Sequence, residues 1–454
     1  MNKKPSSRKG SNAQNKRLNQ VEYRPITEIK PDPDNPRKHS DRQIRALCKS
    51  IKAFGFAVPI AVDRNLQIIA GHARLEAARK LGITEIPVIS LDHLSPAQVK
   101  AFMIADNRLC EISSWNDQLL AQQLQSLTLL NLDFDLEATG FTIGEIDLRI
   151  ESMEASTIDH EADKPMKIAG PAVTAPGDLW LIGDHRLLCG NALEADCYAR
   201  LLDDQLASMV FTDPPYNVKV DGHVGGLGHI KHPEFAMASG EMTAHEFTDF
   251  LSRVFRLLTR HSKDGSIHQI FMDWRHLYEI LSAGKEVNTD LLNLCVWAKS
   301  QGGMGSLYRS QHELVLVFKH GKQSHQNNIQ LGRFGRYRTN VWQYTGIQGM
   351  RSGEEGDLLE IHPTIKPVKL VADALLDCSR RGDLILDPFL GSGTTLLACE
   401  RVGRHCRGIE LDPLYVDATI RRFQNLTGLD ATHQATGQTF TERSFVLNST
   451  STPN

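Results

Sequence analysis

The stretch that decides the fold is Thr212-Asp213-Pro214-Pro215-Tyr216-Asn217, which closes an apolar run at residues 206–211. A short apolar run that ends in turn residues is typical of a buried β-strand. Two successive prolines fix φ and remove two backbone donors, so the turn is stiff and its carbonyl groups remain available as acceptors. Asp213 adds a carboxylate beside them. We predict that this turn seats a planar group bearing an NH2; the alternative is a surface turn that only caps a strand.

The exocyclic amino group of adenine or cytosine is a poor nucleophile, because its lone pair is delocalised into the ring. If Asp213 and the carbonyl of Pro214 hold both of its hydrogens, the nitrogen can aim its lone pair at an electrophile. Tyr216 would then stack on the base, which must leave the duplex to reach the turn. The predicted catalytic residues are therefore Asp213, Pro214, Pro215 and Tyr216.

A second strand end opens into a helix at Leu386-Asp387-Pro388-Phe389-Leu390-Gly391-Ser392-Gly393-Thr394-Thr395. The two glycines permit close backbone approach, and the first N–H groups of the helix face the loop. A further strand follows, in which Glu410 is placed to accept hydrogen bonds from ribose hydroxyls. The Lys and Ser/Thr of a phosphate-binding P-loop are missing, which argues against a triphosphate.

With these motifs, residues 178–426 resemble the S-adenosylmethionine-dependent DNA amino-methyltransferases that carry Asp-Pro-Pro-Tyr, in the beta-group motif order. The segment His362-Pro363-Thr364-Ile365-Lys366-Pro367 precedes the glycine loop, as in that family. The resemblance implies S-adenosylmethionine as cofactor, with Glu410 on its ribose, Lys366 near its methionine carboxylate, and Asn191 where the family commonly has an Asp on the adenine. The implied cofactor-binding residues are Asp387, Phe389, Gly391, Gly393, Thr394, Glu410, Lys366 and Asn191.

The predicted function is a site-specific DNA methyltransferase that modifies N6 of adenine. A cytosine N4 enzyme is the first alternative, although such enzymes more often begin this motif with Ser. A protein-glutamine methyltransferase is a second, but those enzymes resemble Asn-Pro-Pro-Tyr and place the cofactor loop first. A ParB-like DNA-binding adaptor with an inactive methylase is the third, and intact Asp213, Gly391 and Glu410 argue against it.

Residues 21–150 resemble the N-terminal domain of ParB-type proteins, through Asn35-Pro36-Arg37, Asp106-Asn107-Arg108 and Ile69-Ala70-Gly71-His72-Ala73-Arg74. In partition proteins Glu-Arg-Arg usually follows the glycine of this last box and binds nucleotide phosphates. Here His72 and Ala73 replace the first two residues, leaving Gly71 and Arg74 as the candidate site. Nucleotide binding is therefore disfavoured against a small α/β domain used for docking or DNA contact.

Strands that alternate with helices predict an α/β fold, with a doubly wound, mostly parallel methyltransferase sheet after the small ParB-like domain. The predicted divisions are a disordered basic tail (1–20), the ParB-like domain (21–150), an acidic, proline-containing linker (151–177), the methyltransferase domain (178–428) and a disordered tail (429–454). Residues 319–351 contain six Lys or Arg, no acid, and interleaved aromatic rings. We predict target recognition at residues 319–361, with DNA contacts from Arg333, Arg336, Tyr337 and Arg338.

The chain has 454 residues, a formal charge of −3 and eight cysteines without a C-x-x-C pair. These features predict a cytoplasmic protein with reduced thiols and no membrane span. His223, His229 and His232 lie in a segment that lacks a second ligand pair, so no metal site is predicted. The predicted partner is double-stranded DNA, and a homodimer is left open.

Overall fold

The computed structural model describes residues 20–128, 130, 132–154, 171–218, 240–288, 290–300, 302, 307–329, 338–345 and 366–450. The chain forms two compact units, Met1–Thr142 and Ile143–Asn454. No helix in these ranges combines the length and the apolar composition needed to cross a membrane.

The first unit contains a four-stranded sheet in the order β1-β4-β2-β3. Its strands are β1 (Val21–Pro25), β2 (Ile60–Val62), β3 (Ile68–Ala70) and β4 (Glu85–Ser90). The β2–β4 pair is parallel and the other two pairs are antiparallel. The buried side chains are mostly aliphatic: Ile29, Ile60, Val62, Ile68, Leu75, Ala78, Ile86 and Val88. The sequence pattern predicts the first strand at residues 26–30, whereas the structure has β1 at Val21–Pro25.

The helices of the first unit are α1 (Asp41–Phe54), α2 (His72–Lys80), α3 (Pro96–Glu111) and α4 (Asp117–Thr128). Helix α1 begins at Asp41 because the Ser40 side chain accepts the backbone N–H of Gln43 and so caps the first turn. Gly71 opens α2 with φ of 114°, in the left-handed region that favours glycine.

The second unit contains a ten-stranded sheet in the order β11-β9-β10-β8-β7-β12-β13-β6-β5-β14. Its strands are β5 (Leu179–Ile182), β6 (His185–Cys189), β7 (Ala207–Thr212), β8 (Ser262–Met272), β9 (Asp290–Ala298), β10 (His312–Lys319), β11 (Val341–Gln343), β12 (Leu384–Asp387), β13 (His405–Glu410) and β14 (Thr432–His433). The five strands from β8 through β7, β12 and β13 to β6 are parallel. Strands β9 and β10 pair antiparallel, and β11 pairs parallel with the other side of β9.

Helices cover both faces of the large sheet. The helices of this unit are α5 (Ile143–Glu154), α6 (Ala195–Leu202), α7 (Ala244–Arg260), α8 (Leu277–Val287), α9 (Val368–Cys378), α10 (Thr394–Val402), α11 (Pro413–Thr427) and α12 (Phe440–Thr450). Helices α9, α10 and α11 pack with Met209 and Phe211 of β7 on one face of the sheet. Helices α6, α7 and α8 pack on the other face with Val210, the residue between those two in the strand. This alternation confirms the predicted doubly wound α/β sheet.

The second unit begins earlier than the sequence predicted. Helix α5 belongs to it, and the buried carboxylate of Asp147 pairs with Arg404 at 2.9 Å and Arg381 at 2.9 Å. The backbone N–H groups of Val173 and Thr174 donate to Asp417 at 2.7 and 3.1 Å. Residues before and within the predicted linker therefore contact the methyltransferase unit, and residues 155–170 lie outside the described ranges.

The predicted disordered tail is also folded in its first part. Strand β14 pairs antiparallel with β5, and Phe440 at the start of α12 is buried against Trp180 at 5.4 Å between ring centroids. The prediction was wrong because a Thr- and Ser-rich composition does not reveal two apolar anchors, Ala431 and Phe440, that are buried by tertiary packing.

Candidate active site

The Asp213 turn lies at the centre of the large sheet. Strand β7 ends at Thr212 and lies between β8 and β12, with both of which it is parallel. The carboxyl ends of the three strands therefore meet at one edge of the sheet, where ligands bind in open α/β folds. Asp213 follows directly on β7, and a quarter of its side chain is exposed, so the carboxylate can be reached from outside.

The carboxylate of Asp213 is held by two side chains. The hydroxyl of Tyr216 donates to Oδ1 at 2.5 Å, and the ammonium group of Lys366 donates to Oδ2. No donor from the described part of the chain reaches the carbonyl of Pro214, so this predicted acceptor is available. The structure thus brings together the predicted pair of acceptors, while the Tyr216 hydroxyl is used within the protein.

A second carboxylate, not singled out from the sequence, belongs to the same cluster. Glu313, the second residue of β10, is buried and accepts from Lys299 at 2.6 Å, from Tyr216 at 3.0 Å and from Lys366 at 3.4 Å. The available signal was an acid that opens a buried strand, which is rare unless the charge is paired. We call Asp213, Tyr216, Lys299, Glu313 and Lys366 the acidic–basic cluster.

The acidic–basic cluster shifts the pKa values of its members in opposite directions. Burial and the charge of Glu313 raise the pKa of Asp213, against the opposing effect of Lys366. Burial would raise the pKa of Glu313 as well, but Lys366 and Lys299 together hold it well below its ordinary value. Burial alone would lower the pKa of Lys366, yet the two carboxylates raise it. Asp213 is thus the carboxylate that gains a proton first as the pH falls.

Asp387, at the end of β12, links the two central strands. Its buried carboxylate accepts from the hydroxyls of Thr212 at 2.8 Å and Thr395 at 2.7 Å, and from the Phe389 backbone N–H at 3.1 Å. Burial raises the pKa of Asp387 to about 6 although these hydrogen bonds oppose the shift. These contacts hold the glycine loop in place. The carboxylate of Asp387 is occupied by partners within the protein, which the resemblance did not imply.

The glycine loop and the end of β13 form the second half of the site. The carboxylate of Glu410 accepts the backbone N–H of Gly391 at 2.8 Å and that of Asp412 at 2.9 Å. Burial raises the pKa of Glu410 to about 7. Asn191 follows β6, the strand next to β13, and its side-chain oxygen accepts the backbone N–H of Leu193 at 3.0 Å.

The two glycines of the loop differ in what surrounds them. Gly393 precedes α10 with φ of 86°, and a Cβ there would lie 2.4 Å from Thr419, so the helices α10 and α11 could not approach as they do. Gly391 has φ of 56°, but a Cβ there would meet nothing within 4 Å. The open space in front of Gly391, beside Glu410, is where a ligand has room.

Lys366 has contacts that the resemblance did not imply. The resemblance implied that it lies near the methionine carboxylate of the cofactor, but its ammonium group is committed to Asp213 and Glu313 and lies 4.4 Å from the centre of the Phe271 ring. The side chain is only 5 % exposed. Its immediate partners are therefore the protein's own carboxylates, which single-sequence reasoning could not identify because Glu313 is 53 residues away in the chain.

Arg338 also differs from its predicted role as a DNA contact. Its guanidinium group donates to Asp377 at 3.0 Å and to the Tyr344 hydroxyl at 2.7 Å, and it lies 5.3 Å from the centre of the Trp342 ring. These contacts anchor β11 to α9, and a DNA contact by Arg338 stays a prediction. Arg333, Arg336 and Tyr337 lie outside the described residues, as do His223, His229 and His232. The described residues contain no cluster of metal-ligating side chains.

Asn217, which follows the tyrosine, fixes the end of the turn. It is buried and has φ of 52°, a left-handed conformation that Asn tolerates. Its side-chain oxygen accepts the backbone N–H groups of Gly240 and Met242, and its nitrogen donates to the carbonyl of Met242 at 2.8 Å. One side chain therefore holds both ends of the chain segment that leaves the turn and returns to α7.

In the first unit, the candidate residues Gly71 and Arg74 take part in contacts within the protein. Arg74 donates to the carbonyl groups of Val58 at 2.9 Å and Pro59 at 3.0 Å, and its guanidinium lies over Gly71. His72 accepts the backbone N–H of Asp32 at 3.1 Å. Burial lowers the pKa of Arg74, against the opposing charge of Asp106. Arg74 therefore fastens the loop before β2 in this conformation.

The comparisons with known families agree with this architecture. Residues 207–421 match the family described as DNA methylase. Residues 10–107 match the ParB N-terminal domain, and residues 118–176 match the ParB-methyltransferase HTH domain. Sequence reasoning had treated this last region as the end of one domain and a linker.

The chain is similar to several known enzymes. It is 28 % identical over 268 residues to the type II methyltransferase M.HpaI of Haemophilus parainfluenzae, covering 55 % of this chain and 77 % of the relative. It is 26 % identical over 250 residues to the type II methyltransferase M2.MboI of Moraxella bovis, covering 52 % and 88 %. Among solved structures, the putative DNA modification methylase TTHA0409 of Thermus thermophilus, complexed with S-adenosyl-L-methionine, is 22 % identical with a TM-score of 0.38, covering 54 % and 96 %.

A doubly wound sheet with an Asp-Pro-Pro-Tyr turn and a glycine loop at adjacent strand ends defines a methyltransferase of the S-adenosylmethionine-dependent class. Residues 207–421 form a DNA methylase domain. The chain is therefore a DNA methyltransferase that also carries a ParB N-terminal domain, which confirms the prediction made from the sequence.

Proposed function

We propose that this protein transfers a methyl group from S-adenosylmethionine to N6 of adenine in double-stranded DNA. The observation that carries the proposal is the pairing, at one sheet edge, of a reachable carboxylate on Asp213 with the available carbonyl of Pro214. Two acceptors on successive residues suit the two hydrogens of an exocyclic amino group. The same two acceptors would contact the Watson–Crick edge of a base extruded from the duplex.

The residues around the glycine loop fit the cofactor. The open space at Gly391 lies beside a carboxylate that can accept from ribose hydroxyls, and Asn191 lies just after the neighbouring strand β6. Glu410, Gly391, Gly393 and Asn191 would hold the nucleoside part, with Phe389 and Thr394 flanking it. S-adenosylmethionine supplies a sulfonium methyl group that is already electrophilic, so the protein's main contribution is positioning.

The residues of the turn would orient the target base and take up its proton. Asp213 accepts one amino hydrogen and the Pro214 carbonyl accepts the other, which turns the nitrogen lone pair out of conjugation. The nitrogen forms the new N–C bond while the electrons of the S–C bond stay on sulfur. The surplus amino proton then passes to Asp213 and on to water. The ring of Tyr216 is proposed to stack on the base, with its hydroxyl fixed by the acidic–basic cluster.

Adenine is proposed over cytosine because the motif begins with Asp rather than Ser. The deciding experiment is methyl transfer from labelled S-adenosylmethionine to unmethylated duplex DNA of mixed sequence, followed by mass spectrometry of the nucleosides. Wild-type protein should give N6-methyladenine. Asp213→Ala should lose activity by at least about 10³-fold while it still binds the cofactor in calorimetry.

Asp249→Ala is the matched control, since Asp249 is an exposed acid on α7. N4-methylcytosine as the product would keep the mechanism and replace the base. Cofactor binding without any modified DNA would contradict the proposal, and RNA and protein-glutamine substrates would be tested next.

We also propose that the ParB-like unit contributes DNA contact rather than nucleotide binding. Arg74, the basic residue left in the box, is held by backbone carbonyl groups in the described conformation. Calorimetry with nucleoside triphosphates should show no heat of binding. Saturable binding that Arg74→Ala abolishes would contradict this assignment.

A further inference from the structure

We propose that Glu313 is a positioning residue for methyl transfer: it is the alternative acceptor that lets Tyr216 and Lys366 release Asp213 toward the target amino group. The inference rests on the proposed function, since it concerns the state of Asp213 during that reaction. Glu313 would not touch the substrate, and its effect would pass through the two side chains that it shares with Asp213.

The geometry shows that two donors are shared between two carboxylates. The Tyr216 hydroxyl lies 2.5 Å from Oδ1 of Asp213 and 3.0 Å from Oε2 of Glu313. The Lys366 ammonium group pairs with Oδ2 of Asp213 and lies 3.4 Å from the same Oε2 of Glu313. Oε1 of Glu313 is occupied separately, by Lys299 at 2.6 Å. Lys299 therefore holds the Glu313 side chain while its second oxygen faces both shared donors.

The number of hydrogens on Tyr216 and Lys366 limits how these two donors can be shared between Asp213 and Glu313. A tyrosine hydroxyl has one hydrogen, so Tyr216 donates to Asp213 or to Glu313 but not to both at once. When it donates to Asp213, Oδ1 is less able to accept a hydrogen from an incoming amino group. If the hydroxyl turns to Glu313, Oδ1 becomes available without leaving a buried hydroxyl unsatisfied. Lys366 can shift its donors between the carboxylates in the same way, because an ammonium group has three.

The charges of the acidic–basic cluster support this arrangement. Asp213 and Glu313 carry two negative charges, and Lys299 and Lys366 carry two positive charges, so the buried group is neutral as a whole. The groups that face Asp213 are Lys366, Tyr216, Glu313 and, from β12, Asp387. Those that face Glu313 are Lys366, Lys299, Tyr216 and Asp213. A neutral cluster lets the hydrogen bonds rearrange without separating charge in a buried site.

The test is Glu313→Gln, which keeps the shape of the side chain and removes its charge. Cofactor affinity and KM for DNA should stay within about threefold, while kcat falls about 10- to 100-fold, the range typical of residues that orient a reactive group. The acid limb of the kcat–pH profile should also move to lower pH, because the negative charge that raises the pKa of Asp213 is removed. A purely structural role would not move this limb.

Glu400→Gln is the matched control: Glu400 pairs with His185 on the amino side of the sheet, away from the acidic–basic cluster. It should leave both kcat and the acid limb unchanged. Glu313→Asp keeps the charge but shortens the reach to Tyr216, so its kcat should also fall. A kcat for Glu313→Gln within twofold of wild type, or an unmoved acid limb, would overturn the inference.

A double-mutant cycle with Tyr216→Phe separates this inference from general damage to the site. If Glu313 acts through Tyr216, the loss in the double variant should be clearly smaller than the product of the two single losses. Fully multiplicative losses would contradict the proposal. If wild-type protein methylates no DNA at all, the proposed function fails instead, so the two failures are distinguishable.

Discussion

The hydroxyl of Thr212, the last residue of β7, donates to the carboxylate of Asp387, the last residue of β12, at 2.8 Å. This bond joins the Asp213 turn, which we propose holds the target base, to the glycine loop, which we propose holds the cofactor. The distance between the two loops is thus fixed by the two central strands and by a buried hydrogen bond across their ends.

Thr212→Val should therefore reduce both stability and activity. The substitution keeps the shape of the side chain and leaves the buried carboxylate of Asp387 with one donor fewer, at a cost of about 1–3 kcal/mol. Urea denaturation measures the loss of stability, and kcat is measured under conditions where the variant is folded. Thr248→Val, which removes a hydroxyl from the exposed face of α7, is the control and should change neither. Unchanged stability in Thr212→Val would contradict the importance of this bond.

Cofactor affinity should depend on pH through Glu410. Its pKa is raised to about 7, so the carboxylate is mostly protonated at pH 6 and mostly ionised at pH 8. Ribose hydroxyls donate better to the ionised form, and S-adenosylmethionine should bind about tenfold more tightly at pH 8 than at pH 6. Calorimetry at both pH values measures this ratio. Glu410→Gln should bind S-adenosylmethionine more weakly and lose most of the pH dependence. If the ratio of affinities at pH 8 and pH 6 is unaltered in this variant, the pH dependence belongs to another group.

The same group should make the ligand-free protein less stable as the pH rises. The folded pKa of Glu410 lies above its unfolded value of about 4.5, so its contribution to stability is full below pH 4.5 and is lost as the pH passes through about 7. Glu410→Gln should therefore flatten the fall in unfolding free energy between pH 5 and pH 8. The comparison of urea midpoints at these two pH values checks the sign.

Removal of residues 143–177 should destabilise the methyltransferase unit. A fragment of residues 178–454 lacks Asp147, the buried partner of Arg404 and Arg381, and the backbone donors to Asp417. Loss of one partner of a buried ion pair costs about 3–5 kcal/mol. The fragment of residues 143–454 is the control and should remain folded. Equal urea midpoints for the two fragments would show that α5 is dispensable.

Arg338 should matter for stability and not for DNA affinity. Arg338→Met removes one cationic partner from Asp377 and Asp373 and should cost about 3–5 kcal/mol. The dependence of DNA binding on salt concentration should be unchanged, because no phosphate contact is lost. Arg253→Ala, on the exposed side of α7, is the control for stability. A reduced salt slope in Arg338→Met would restore the predicted DNA contact.

The sequence was sufficient for the central sheet and the two strand-end motifs because both depend on local patterns. The apolar run before Asp213 predicts β7, and Gly391 and Gly393 predict a loop before a helix. The pairing of Lys366 with Asp213 joins residues 153 positions apart, and no local pattern encodes it. Glu313 was missed for the same reason, since its partners come from the end of β9, the Asp213 turn and the segment before α9.

The domain boundaries were less predictable because composition does not report tertiary anchors. Acids at residues 151–163 predict a solvated linker, yet the preceding helix buries Asp147 against two arginines. The polar tail after residue 428 was predicted to be disordered, yet it adds β14 to the sheet and buries Phe440. In both cases one or two buried side chains order a segment whose surrounding sequence is polar.

The side chain of Asn217 holds Gly240 and Met242 through three hydrogen bonds. Because the two ends of this excursion are joined beside the Asp213 turn, its length is uncoupled from the position of the reacting groups. Each doubling of a closed loop costs only about 0.6 kcal/mol of closure entropy. A change in the number of residues between Asn217 and Gly240 should therefore leave the positions of Asp213 and Tyr216 unaltered.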